Sequence, residues 1–267
     1  MASIDFPTYL SHLRTESARF RDVLAACDPG ARVPACPDWD ADDLLWHLGE
    51  VQWFWAQVIR TRPAAPDDDG DRPQRPETRE ELLAFFDASS ADLITLLEQA
   101  DPAEHAWHWS PEQSVGVTFR RQAHEALIHR LDAEQTAGAA VTPLDPALAA
   151  DGVAELVEVM YGGEAPDWGR FEPGDHVVEL RLSDVGESIW VRPGLFFGTE
   201  PSSGTNYDSA HLVRIDDPGS PADAVVGGEA GAVDAWLWKR RDDTGITVDG
   251  DRAAYDAFVA AVGPALT

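Results

Sequence analysis

Apolar residues recur at three- and four-residue spacing in four separate stretches of the first 138 residues, then at every second residue beyond about position 165. That change of period confines the chain to a helical part followed by a part built on strands. Asp5, with Pro7 in the first turn, opens helix one, and Leu10, Leu13, Phe20, Val23 and Leu24 carry its spacing to Cys27. A Pro-rich loop from Val33 to Trp39 leads to Asp40, which caps a second helix with Asp43 in its first turn, running to about Arg60. Four prolines and three aspartates mark 61–76 as a long exposed loop. Thr78 and Glu81 form a capping box for helix three, whose buried side is Leu82, Phe85, Phe86, Leu93, Leu96 and Leu97. The fourth helix is expected from near Thr118 to just before Gly138, completing a four-helix bundle.

Asp145 and Pro146 start a shorter helix that ends at Gly162 and Gly163. Beyond it Val177, Glu179 and Arg181 alternate with Val178, Leu180 and Leu182, and 188–192 and 210–215 are further β-prone runs. Two helices, 230–240 and 251–262, complete this part, while the Gly227–Gly228 and Gly162–Gly163 pairs read as turns. The expected class is multi-domain α and α+β: a helical bundle over 1–165, then a small α+β domain over 166–267.

With 20 basic and 48 acidic residues the net charge is −28, so a nucleic acid or an anionic membrane is repelled over any broad surface. Lys239 is the one lysine, and the two cysteines, Cys27 and Cys36, are too few for a disulfide scaffold or a cysteine-only zinc site. The opening residues lack a basic region followed by an apolar core, and no apolar run approaches the roughly 18 residues that span a bilayer. A cytoplasmic protein is expected.

His47 lies at the margin of the buried stripe Leu44, Leu48, Val51, Trp55 and Val58, where a histidine is either hydrogen-bonded or bound to something. Glu125 and His129, four residues apart, share one face of helix four and can hold one ion. The stripe Phe119, Ala123, Leu127 and Leu131 lies roughly opposite, so an exposed Glu–His pair is the alternative. Asp132 and Thr136 extend the polar face. Two histidines and a carboxylate from different bundle helices make a divalent-metal site with a position left open for water or substrate. His124 and Glu50 are spare candidates; His124 points about 100° around the helix from Glu125. Nucleophile-elbow, phosphate-loop and His-Glu-x-x-His patterns are missing from the sequence. Most of the ten tryptophans read as core and interface fillers.

Val33-Pro34-Ala35-Cys36-Pro37-Asp38-Trp39, followed by Asp43-Leu44 and His47-Leu48-Gly49, resembles the N-terminal signature of the mycothiol-dependent maleylpyruvate isomerase family of actinobacteria. The run from His124 to Glu134 resembles its second signature, and Val226-Gly227-Gly228, Leu237-Trp238-Lys239-Arg240 and Val248-Asp249-Gly250-Asp251 are similar to its sterol-carrier-like C-terminal domain. The resemblance implies a DinB-like four-helix bundle whose divalent ion, usually zinc, is held by His47, Glu125 and His129. It also implies that the open position receives the sulfur of mycothiol, a sugar thiol, which attacks a small electrophile held between the domains. A free thiol with a pKa near 8.5 is only about 3% thiolate at pH 7, and coordination removes that limit. Addition to a cis double bond, rotation and departure of the sulfur is isomerisation; sulfur that stays attached is transfer, and transfer or detoxification is expected ahead of isomerisation. A non-catalytic metal-binding or regulatory protein is the competing reading. The family's usual Gly-Arg after Leu-Trp is Lys239-Arg240 here, and Arg240 is the expected catalytic residue, pairing with an anionic group of the electrophile; the alternative is a basic helix end.

Overall fold

In the computed structural model, which describes residues 4–66, 72–263 and 266, Asp5 caps helix α1 (Phe6–Ala26) by accepting from the Thr8 amide. Asp40 and Thr78 form capping boxes with Asp43 and Glu81 at the starts of α2 (Ala41–Thr61) and α3 (Arg79–Gln99). Helix α4 (Val115–Thr136) begins three residues before the expected Thr118, because Ser114 caps it by accepting from the Val117 amide. Helix α1 lies along α4, α2 lies along α3, and α2 also meets α4, which gives the expected four-helix bundle. Phe20, Leu24, Leu44, Leu45, Leu48 and Phe86 form a fully buried cluster between them. Gly49 lets the helices approach closely: a Cβ there would stand 3.2 Å from the Phe85 ring, which would have to shift to admit it. Part of the expected loop over 61–76, residues 67–71, lies outside the described residues.

The Pro-rich segment is more ordered than a loop. Strands β1 (Arg32–Val33) and β2 (Cys36–Asp40) pair antiparallel, and the last residue of β2 is itself the cap of α2. Prolines are tolerated there because a two-stranded ribbon is all edge.

Two compact units divide at residue 143/144, so the division falls ahead of the expected 165 by the length of one helix. That helix, α5 (Pro146–Glu155), packs on α6 (Ala230–Leu237) of the C-terminal unit and continues into a π-helical turn, Leu156–Met160. The C-terminal unit carries a six-stranded sheet. The long β5 (Glu187–Thr199) pairs antiparallel with β3 (Gly169–Pro173), β4 (Val178–Leu182) and β6 (Asn206–Ile215). Strand β7 (Ala224–Gly228) lies parallel to β4, and β8 (Thr247–Gly250) closes the far edge. Helix α7 (Arg252–Ala261) covers β4, β5, β6 and β7. Gly227 and Gly228 are therefore strand residues rather than a turn: at Gly228 a Cβ would meet the Gly245 carbonyl, Val233 and Ile246 at 3.1–3.2 Å.

Helix α6 ends at Leu237, short of the expected 240. The Lys239 amide donates to the Trp236 carbonyl and the Arg240 amide to Ala235, with Lys239 at φ 61°, a Schellman termination in which a lysine occupies the left-handed position. A side chain there costs about 1 kcal/mol, which is why glycine usually fills it. Lys239→Gly is expected to raise the unfolding free energy by up to about 1 kcal/mol in urea titration; a loss of stability would contradict the strain.

Helix α4 departs most from its pattern. The alternation anticipated one buried stripe, yet Thr118, Arg121, Gln122, His129, Arg130, Asp132 and Glu134 are buried beside Phe119, Ala123, Leu127 and Leu131. Buried charges demand partners, and they have them. Arg130 donates to Glu16 (2.7 Å), Glu134 (2.9 Å) and the Thr142 carbonyl (2.7 Å). Glu134 also accepts from Arg19 and from the amide and hydroxyl of Thr142. Burial alone would raise the Glu134 carboxyl, but the Thr142 and arginine hydrogen bonds outweigh it and hold the group below its ordinary value. A depressed folded-state pKa stabilises the protein above the unfolded value, near 4.3, and that contribution vanishes as pH falls through the folded value. Glu134→Gln is therefore expected to cost about 3 kcal/mol at pH 7 and much less at pH 3. Parallel urea titrations of the two proteins test this, and an equal difference at both pH values would contradict it.

Candidate metal centre

The capping box at Asp40 fixes where α2 starts, and His47 follows two turns later. Arg75 and Arg79, from the approach to α3 and its first turn, pair with Asp43 and Asp42 in the first turn of α2, so the helix start is tied to its neighbour. On α4, Glu125 and His129 share a face by their four-residue spacing. The bundle brings His47, Glu125 and His129 together: one donor atom from each lies within 4.8 Å of the others. The His47 and His129 rings stand edge to face at 4.8 Å, and Trp39 of β2 packs against His47 at 4.7 Å.

His129 Nε2 lies 3.1 Å from Glu125 Oε2, while its Nδ1 lies 3.0 Å from Asp132 Oδ2. Asp132 is fully buried and accepts a hydrogen bond from Nδ1–H, which leaves Nε2 to face the cluster. A carboxylate behind a histidine in this way sets ring orientation and tautomer at metal sites. Burial alone would lower the His129 pKa, but its hydrogen bonds to Asp132 and Glu125 prevail and raise it. Burial would likewise raise Glu125, and the charges of Arg121, His129 and His47 instead hold it well below the carboxylate range. Arg121 reaches Glu125 at 3.4 Å from one turn earlier on α4.

Two imidazoles and a carboxylate are a donor set for a first-row divalent ion, and three protein ligands leave a position free. The access is also there: His129 is only 2% exposed, but His47 is half-buried and the Glu125 side chain keeps 18% exposure. The structure brings the three expected ligands into one half-open cluster, and the alternative of an exposed Glu–His pair is not what it has. His124 is buried elsewhere on α4, edge-on to Tyr9, and neither it nor Glu50 joins the cluster. Arg240 sits in the C-terminal unit, 5% exposed. Its guanidinium donates to the Trp238 and Leu266 carbonyls (2.8 and 2.9 Å) and lies 5.7 Å from the Trp238 ring.

A bundle with a two-histidine, one-carboxylate cluster, joined to an α+β unit, defines a class of two-unit proteins with a candidate metal centre in the helical half. Residues 10–134 match the family model described as the mycothiol maleylpyruvate isomerase N-terminal domain, and 147–257 match that of the C-terminal domain of the same enzymes. The chain belongs to the mycothiol-dependent maleylpyruvate isomerase family, a family of enzymes. No curated protein matches it. Two solved structures share the fold at a TM-score of 0.59, with 92% of this chain and 93% of theirs covered. One is a mycothiol-dependent maleylpyruvate isomerase, 15% identical, and the other a histidine-to-alanine variant under the same name, 14% identical.

The purified protein is expected to bind about one zinc ion per chain, with His129→Ala losing it and Asp132→Asn weakening it about 10- to 100-fold. Metal analysis with a competing chelator reads both; unchanged affinity in His129→Ala would remove this ligand set. Zinc at about a thousandfold over its dissociation constant adds about 4 kcal/mol to stability, so chelation is expected to lower the melting temperature.

Proposed function

We propose that the chain is a metal-dependent enzyme that uses mycothiol to isomerise a small cis-unsaturated electrophile. The carrying observation is the cluster of His47, Glu125 and His129 with its half-open side, inside the part that matches the N-terminal domain model. The name of the structural neighbours, mycothiol-dependent maleylpyruvate isomerase, supports the thiol and the reaction type. A divalent ion held there, zinc in our reading, supplies the Lewis acidity that deprotonates a coordinated thiol at neutral pH. His47 and His129 offer imidazole nitrogens and Glu125 a carboxylate oxygen. Asp132 orients His129 by accepting a hydrogen bond from its Nδ1–H. Arg121 keeps Glu125 ionised, so the donor set carries one negative charge. The surrounding bundle core, with Leu44 one turn before His47 and Leu48 next to it both fully buried, limits water to the open side. Two free cysteines, Cys27 and Cys36, fit the reducing cytoplasm in which we place it.

Turnover of maleylpyruvate that needs mycothiol without consuming it is the expected result, lost on chelation and in His47→Ala. Consumption of one thiol per product would make it a transferase, and metal binding with no turnover across a panel of electrophiles would leave a non-catalytic binder.

We also assign Arg240 to an anionic group of the substrate, the role for which a guanidinium's paired donors are suited. Arg240→Ala is expected to lower kcat/KM at least tenfold, about 1.4 kcal/mol of barrier, at unchanged zinc content. If only the melting temperature falls, Arg240 does no more than clasp the Trp238 and Leu266 carbonyls.

A further inference from the structure

Lys239 is the chain's one lysine and, among the described residues, the one non-glycine residue with a left-handed backbone, at φ 61°. A side chain kept where glycine would be free of strain calls for a use of that side chain. Its Nζ stands 5.6 Å from the centre of the Tyr161 ring and 5.8 Å from that of Trp236, so two aromatic faces line one amine. Tyr161 follows the π-helical turn after α5, a kind of turn that recurs at functional sites. Its hydroxyl donates to the Leu237 carbonyl at 2.7 Å, which ties that turn to the end of α6, where Trp236 lies.

What the amine lacks is an acid. The chain has 48 aspartates and glutamates, yet among the described residues no carboxylate acts on Lys239. Tyr161 brings no charge, because its hydroxyl is committed to Leu237 and burial pushes its pKa up. The adjacent guanidiniums are turned to backbone carbonyls, Arg240 to Trp238 and Leu266 and Arg241 to Thr244. Half-buried and without a counter-charge, the ammonium loses hydration, and burial lowers its pKa from the ordinary lysine value. Removing water from a lysine while withholding an acid is how proteins make its amine a nucleophile.

We propose that Lys239 is a reactive amine that captures a planar, conjugated aldehyde or ketone as an imine, with Tyr161 and Trp236 as the walls of the site. The nitrogen of the neutral amine adds to the carbonyl carbon. The carbonyl oxygen then leaves as water with both amine protons, and a C=N bond remains. The two rings that face the ammonium would pack on the flat imine. No candidate metal ligand takes part, so the site stands or falls apart from the metal–thiol reading.

Benzaldehyde with cyanoborohydride, which reduces an imine to a stable secondary amine, is the probe for the full-length protein. Mass spectrometry with peptide mapping separates Lys239 from the α-amino group. At pH 7 Lys239 is expected to label about tenfold faster than Nα-acetyl-lysine amide. That excess is expected to shrink as pH approaches the ordinary lysine value, about 10.4, where the free amine is neutral as well. Protein unfolded in guanidinium chloride is expected to label at the rate of the free amine, and Trp236→Leu to lose most of the excess. Labelling of folded Lys239 no faster than the free amine, or equally fast before and after unfolding, would overturn the proposal. A rate unchanged in Trp236→Leu would overturn the aromatic walls and the preference for a conjugated carbonyl.

Discussion

The hydrogen bond from His129 to buried Asp132 is the interaction on which the site depends. It exists because α4 runs through the interior with neighbours on several sides, and an ionised carboxylate in that position must be paired. With the Nδ1–H held by Asp132, Nε2 is turned toward Glu125 and His47. The same requirement repeats further along α4, where Arg130 and Glu134 are clasped by Glu16, Arg19 and the Thr142 segment. A helix built this way cannot shift or rotate without exposing unpaired charge, which makes it a rigid carrier for ligands.

His47 is delivered differently. Its helix is fixed by its start: the β1–β2 ribbon ends in Asp40, Asp40 caps α2, and the acidic first turn is tied by Arg75 and Arg79. Trp39, the last residue before that cap, packs against the His47 ring. One short segment thus both starts the helix and supports the histidine two turns along it. In a chain whose net charge is −28, the centre sets Arg121 and two histidines beside the carboxylates of Glu125 and Asp132.

Much of this was legible in the residues. Caps and capping boxes at Asp5, Asp40 and Thr78 depend on local spacing alone, and the structure has all three. The change from helical to alternating period likewise marked the two halves. What escaped was tertiary. The surroundings of α4 cannot be read from one stripe, because polar residues that look solvated along the sequence are buried against ion partners 114 or 115 positions away. The β1–β2 ribbon and β7 were hidden by Pro and Gly, which read as turns unless the neighbouring strand is known. Helix α5 looked like bundle because nothing in its own residues says that it packs on α6. For the centre, spacing alone paired Glu125 with His129, while the family resemblance was needed to add His47 across the bundle.

The central claim is that three side chains from α2 and α4 hold one divalent ion. Diffraction from zinc-soaked crystals on either side of the zinc absorption edge tests it without reference to activity. The account predicts a single dominant anomalous peak in the bundle, bonded to His47, His129 Nε2 and Glu125 at about 2.0 to 2.2 Å, with Asp132 still on His129 Nδ1. A peak at any other residues, or zinc bound with His129 turned away from Asp132, would contradict it.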